Sequence, residues 1–220
     1  MVLNNKMLKS KGLTTVLCSV VFAAGGSVQA ATFWYAPNGG LSAPPGTFLD
    51  GVSENVVTDY DAFVTGASSD LDNYSEVHSV NVVDSVAIIV QEGGSVSRAG
   101  NKAKVVQRDG ANNTALVTQS GRNHTAYITQ TGSSNAAYVG QLGRNAEALI
   151  EQNGDNNLAL IGQANYGLAG SQLSISQRSD NNIAVVAGAG AANLGISQDG
   201  GDTAIINASA LMRVYINQGN

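Results

Sequence analysis

The sequence predicts an all-β fold: a β-solenoid of stacked strand-turn-strand coils, about 22 residues per coil, after a signal peptide and a poorly ordered acidic leader. Three observations predict it. A glutamine returns at intervals of about eleven residues. A β-branched aliphatic stands two places before each return, and Gly/Asn-rich turns separate the returns.

The returning positions are Gln91, Gln107, Gln119, Gln130, Gln141, Gln152, Gln163, Gln177, Gly188, Gln198, Asn207 and Gln218. Two residues before them stand Ile89, Val105, Val117, Ile128, Val139, Ile150, Ile161, Ile175, Val186, Ile196, Ile205 and Ile216. Four residues before, the column is mostly alanine, with Leu173, Leu194, Thr203 and Val214 as exceptions. Six before, it is small or amide: Ser85, Asn101, Asn113, His124, Asn135, Ala146, Asn157, Ser171, Asn182, Ala192, Gly201 and Met212.

Positions two, four and six residues apart share one face of a strand, because side chains alternate with period two. Turn formers such as Gly121-Arg-Asn, Gly132-Ser-Ser, Gly143-Arg-Asn and Gly154-Asp-Asn lie between. Such clusters every eleven residues would break a helix. Stacked coils turn each column into a ladder of like residues about 4.8 Å apart, near enough for one carboxamide to bond the next. An inward amide without such a partner would cost about 1–3 kcal/mol. Alanine lets the two sheets approach, and Ile or Val packs the interior.

The chain divides into residues 1–30, 31–84 and 85–220. In the first, Lys6, Lys9 and Lys11 precede an apolar run over 13–24, and Val28-Gln29-Ala30 offers a cleavage site before Ala31. This reads as a secretory signal, too short in its apolar part to span a membrane. Its removal takes three positive charges and Cys18, the one cysteine, so net charge moves from −5 to −8 and no disulfide is available. Residues 31–84 carry eight acids, no base, all three prolines and seven aromatics: Phe33, Trp34, Tyr35, Phe48, Tyr60, Phe63 and Tyr74. No sustained period of 2 or 3.6 emerges there. The segment reads as a solvated, partly ordered leader, or as one recognised by an export pore.

Enzymatic function is not expected. His78 and His124 are the only histidines, and no nucleophile motif, phosphate loop or metal spacing surrounds either. His124 falls in the inward small-or-amide column, where a structural role fits. No cofactor and no metal are expected, and the acidic balance disfavours nucleic acid. A monomeric adhesive or ligand-binding solenoid is the remaining alternative; it lacks Gly-Gly-x-Gly-x-Asp repeats, and its outward positions (Thr125, Tyr127, Thr129; Glu147, Leu149, Glu151) are mixed. Strand-like Leu211-Met-Arg-Val-Tyr-Ile-Asn-Gln218 runs almost to the last residue without a cap. An uncapped sheet edge is a template for more chain.

The repeat resembles that of the curlins, subunits of the curli amyloid fibres of Gram-negative bacteria. Ser171, Gln177, Asn182 and Ala184 fit that family's spacing, with Gly188 in place of its last glutamine. Gln130, Asn135, Ala137 and Gln141, then Gln152, Asn157, Ala159 and Gln163, match the latter half. The resemblance covers roughly residues 85–218. It implies export through a curli-type outer-membrane secretion pore with accessory proteins, assembly with itself and other curlin subunits, and an extracellular, surface-associated place in biofilm and adhesion. Lys102, Lys104, Arg108, Arg122, Arg144, Arg178 and Arg213 decorate the repeats, and the last rung around Met212 is irregular. Both resemble the minor, nucleating subunit more than the major one, which stays the alternative. The expected assembly ladders are Gln91, Asn101, Gln107, Asn113, Gln119, Gln130, Asn135, Gln141, Gln152, Asn157, Gln163, Ser171, Gln177, Asn182, Gln198 and Gln218, packed by Val117, Ile128, Val139, Ile150, Ile161, Ile175, Val186 and Ile196.

Overall fold

The structure, a computed structural model, describes residues 4–10, 13–19, 34–35, 41–42, 48–66, 73–93, 100–167 and 169–219. Most of the expected signal segment and the start of the leader lie outside them. Two small antiparallel pairs come first: β1 (Asn4–Ser10) with β2 (Leu13–Ser19), and β3 (Trp34–Tyr35) with β4 (Leu41–Ser42). A helix, α1 (Glu54–Gly66), follows.

Thirteen strands then alternate between two sheets. They are β5 (Asn73–Val83), β6 (Val86–Glu92), β7 (Asn101–Ala111), β8 (Thr114–Arg122), β9 (Thr125–Thr131), β10 (Ala136–Arg144) and β11 (Ala146–Asn153). After these come β12 (Leu158–Asn165), β13 (Ser171–Arg178), β14 (Ile183–Ala189), β15 (Asn193–Asp199), β16 (Thr203–Ala208) and β17 (Arg213–Gly219). Odd-numbered strands form a seven-stranded sheet and even-numbered strands a six-stranded one, each in chain order and parallel throughout. The chain is therefore a β-solenoid, nearly all β.

The turns explain why the coil closes where it does. Asn123, Asn145 and Asn156 adopt φ of 55°, 55° and 57°, the left-handed region that asparagine tolerates best among residues with a side chain. Gly121 has φ 125°, and a Cβ there would stand 1.9 Å from the carbonyl oxygen of Gly143 in the next coil. No other residue permits that approach. Turn chemistry and coil-on-coil stacking are thus one constraint.

Three features differ from the sequence reading. The solenoid starts at Asn73, not residue 85, because β5 joins the odd sheet with Val77 opposite Val105 and Ser79 opposite Gln107. A serine in the glutamine column hid that rung.

The second difference is in β16, where Ala204, Ile206 and Ala208 face inward, not Thr203, Ile205 and Asn207. Ile205 is 74% exposed and Ile206 9%. Adjacent isoleucines satisfy either phase of a period-two pattern, and a one-residue shift reverses every side chain. The phase that turns Thr203 and Asn207 outward wins.

The third is α1. Val56, Val57, Tyr60 and Phe63 make a buried helical face within the segment read as a partly ordered leader without a sustained period. Ser53 precedes it, its carbonyl accepting from the amides of Val56 and Val57. Phe48, Val56, Tyr60 and Phe63 pack onto Val106, Tyr127 and Leu149, on the outer face of the odd sheet. Tyr127 and Leu149, expected to point to solvent, are buried beneath the helix.

Candidate self-assembly site

Inside the solenoid the glutamines form two ladders of opposite sheets. In the even sheet Gln91 Nε2 donates to Gln119 Oε1, Gln119 to Gln141 and Gln141 to Gln163, each at 2.8 Å. In the odd sheet Gln107 donates to Gln130 at 3.0 Å, Gln130 to Gln152, Gln152 to Gln177 and Gln177 to Gln198 at 2.9 Å, and Gln198 to Gln218 at 3.0 Å. Every amide points its nitrogen toward the C-terminal coils. The second proton crosses to the other sheet's side: Gln130 Nε2 donates to Thr114 O and Gln141 Nε2 to Thr125 O, both at 3.0 Å. Each of these side chains thus uses both donors, which is why it tolerates burial.

The asparagine column works differently from the like-to-like pairing expected of it. Asn113, Asn135 and Asn157 accept on Oδ1 from the backbone amides of Asn135, Asn157 and Asn182 in the following coil, at 2.9–3.0 Å. Their Nδ2 groups donate to the carbonyls of Gly132, Gly154 and Ser179 at 2.7–2.9 Å. Asn101 does the same with the His124 amide and Gly121 O. These residues clamp turns. An asparagine side chain is short, and the backbone groups of the next coil's turn lie nearer to it than its counterpart's amide does. Only Asn182 also reaches one, donating to Asn157 Oδ1 at 3.1 Å. Ser171 closes the even ladder, taking the Nε2 of Gln163 on its hydroxyl at 3.2 Å.

Val117, Ile128, Val139, Ile150, Ile161, Ile175, Val186 and Ile196 fill the centre, none more than 2% exposed. Beyond Gln163 the even column becomes Gly188 and then Ala208. The odd sheet compensates: its alanine column becomes Leu173 and Leu194, both fully buried. His124 replaces asparagine in its column and is fully buried. Its Nε2 lies 3.3 Å from Ser120 O, and its Nδ1 has no hydrogen-bond partner among the described residues. Burial lowers its pKa below the ordinary 6.5 against the opposing pull of the Ser120 and Gly143 carbonyls, which favours the neutral ring.

Charged groups gather instead under α1. Glu151, 3% exposed, accepts from the Ser53 amide at 2.8 Å and the Ser176 hydroxyl at 2.9 Å, at the helix start where a carboxylate is favoured. Lys104 Nζ lies 3.2 Å from Asp59 Oδ1 and about 6 Å from the rings of Phe63 and Tyr127. Burial opposes the Asp59 charge, but hydrogen bonds from Tyr127 and Lys104 outweigh it and hold that carboxyl below its usual range. Among the described residues no group of three or more His, Cys, Asp or Glu could hold a metal ion. No helix among them is long and apolar enough to cross a membrane.

At the β5 end no other strand among the described residues continues the stack. Val77 of β5 is 49% exposed where its register partner Val105 is fully buried. Residues 110–143, from the end of β7 into β10, match the family model described as the curlin associated repeat. The chain thus contains a segment similar to the curlin associated repeat. No curated protein and no solved structure matches the chain. The matched segment contains Asn113, Gln119, Gln130, Asn135 and Gln141, so part of the columns described above lies within the match.

Proposed function

We propose that this chain is a secreted subunit that nucleates extracellular curli-type fibres on a Gram-negative cell surface, presenting its open ladders to an incoming curlin. The observation that carries this reading is the exposure of Val77 at 49% above a column buried from Val105 to Ile196. An incoming disordered chain that pairs there buries apolar surface and continues backbone hydrogen bonding on a preformed edge.

The ends of the molecule support nucleation of a different chain over growth from copies of itself. Head-to-tail stacking of two copies would place Ser79 beside Gln218 if it runs through the odd sheet, or Ala208 beside Gln91 if it runs through the even one, so neither glutamine meets a glutamine. Among the described residues the odd sheet has seven strands and the even sheet six, so copies stacked through the odd sheet fall out of step in the even one. A regular repeat with glutamine in both columns continues either ladder. Export through a curli-type outer-membrane pore, and contact with its accessory proteins, belong to the same proposal.

Seeding tests it. Substoichiometric chain added to a separate regular-repeat curlin should shorten the lag of thioflavin-positive growth. Growth of this chain alone, with no effect on the other curlin, would assign it the fibre-forming role.

A further inference from the structure

The outer face of the even sheet carries a second assembly surface. Nothing among the described residues covers it, whereas α1 covers the odd sheet. Ile88, Leu116, Tyr138, Leu160, Val185 and Ile205 stand in register down this face as a ridge of large side chains. Beside the ridge runs a trough in which Gly140, Gly162 and Ala187 stand in register. It is a shallow groove of about 500 Å³. A Cβ at Gly140 would have no neighbour within 4 Å, so the trough is open and not a backbone constraint.

The two edges of this face carry opposite charge. The edge where its strands begin bears Asp84, Asp155, Asp180 and Asp202 in the turns and Asp109 near the end of β7. At the opposite edge Arg122 and Arg144 stand in register at the ends of β8 and β10, with Glu92 at the end of β6. Arg108 and Arg178 share the acidic edge but serve the other side: Arg178 donates to Gly51 O at 2.6 Å, and Arg108 borders a cavity with Asp59.

We propose that two copies of this chain pair face to face through their even sheets, about a two-fold axis parallel to the solenoid axis. That operation reverses strand direction across the interface. It seats Tyr138, Leu160 and Val185 of each copy over Gly140, Gly162 and Ala187 of the other, and lays each aspartate-bearing edge over the partner edge that holds Arg122 and Arg144. The competing two-fold, parallel to the strands, sets ridge on ridge and acid on acid. Shape and charge select the same symmetry independently. Six strands about 4.8 Å apart and about 20 Å long give roughly 500–600 Å² of face per copy, about 1,000–1,200 Å² for the pair, at the lower limit for a specific interface.

This pairing rests on the fold alone and adds a lateral contact to the templating proposed above. The test is the oligomeric state of the chain as secreted, by sedimentation equilibrium at tens of micromolar, with Gly140→Leu/Gly162→Leu as the variant. Both glycines lie outside the positive-φ set, and neither added Cβ meets an atom closer than 4.0 Å. The substitutions fill the trough yet raise apolar area, so nonspecific stickiness would strengthen association. The proposal requires a wild-type dimer and a monomeric variant. A wild-type monomer, or a variant that dimerises equally well, overturns it. Seeding is read separately: a dimer without seeding defeats templating and keeps the pair, while a seeding-competent monomer does the reverse.

Discussion

Leu173 reaches into the space that Gly188 vacates: a Cβ on Gly188 would stand 3.1 Å from Leu173 Cδ1. Position 188 continues the even glutamine column, facing Gln163 in register, and position 173 continues the odd alanine column, facing Ala148. The interior has traded Gln-over-Ala for Gly-over-Leu at nearly constant filling. The trade ends the even ladder while the odd one runs on to Gln218.

Gly188→Gln alone should therefore destabilise by overpacking, on the order of 1–3 kcal/mol. Leu173→Ala alone should cost about 2–5 kcal/mol through a cavity. The double variant should recover most of both losses, since the new glutamine can accept from Gln163. Denaturant midpoints in a double-mutant cycle measure this coupling; additive losses would show that the two positions do not share a space.

Replacing Gln130, Gln141, Gln152 and Gln163 together by leucine should lengthen the lag or abolish growth. The change removes each amide's own bonds and strands the carboxamides of Gln107, Gln119 and Gln177, at about 1–3 kcal/mol for each group left unsatisfied. Thioflavin kinetics at matched concentration provide the measurement, and unchanged kinetics would count against the amides as drivers.

Acidification should weaken the fold through His124. Its pKa in the folded chain lies below the unfolded value of 6.5, so the unfolded chain takes up its proton first as pH falls. This group contributes nothing to pH dependence well above 6.5. Stability declines as pH drops below 6.5 and levels off beneath the lower folded value. His124→Asn restores the column's usual residue and should flatten that part of the profile, as followed by unfolding midpoints between pH 4 and 8.

Tyr60→Ala with Phe63→Ala should release α1 while leaving the solenoid intact. The two rings lie 5.9 and 6.2 Å from that of Tyr127. Truncating a buried ring costs about 3–5 kcal/mol, more than a short helix can supply alone. Amide exchange should rise over 54–66 and stay slow in β9 and β11. Loss of strand protection would show that the helix supports the sheet.

The solenoid was legible from sequence because its signals are translationally repeated: Gln130, Gln141 and Gln152 each reveal the same inward position. Rungs that break the repeat were lost for identifiable reasons. Ser79 fills the glutamine place in β5, and Ile205-Ile206 fit both phases of β16. Helix α1 spans 13 residues with acids between its apolar positions, so its periodicity is weak, and its sites on Tyr127, Leu149 and Glu151 look from sequence like an ordinary mixed outer face. The asparagines' turn-clamping role depends on distances to backbone groups that spacing does not encode.

Side-chain amide exchange of Gln119, Gln130, Gln141 and Gln152, followed by nitrogen-resolved NMR, tests the buried ladders most directly. Protection factors comparable to those of the neighbouring strand amides are expected for all four. Exchange at the rate of a free carboxamide would place these groups in water and contradict the account.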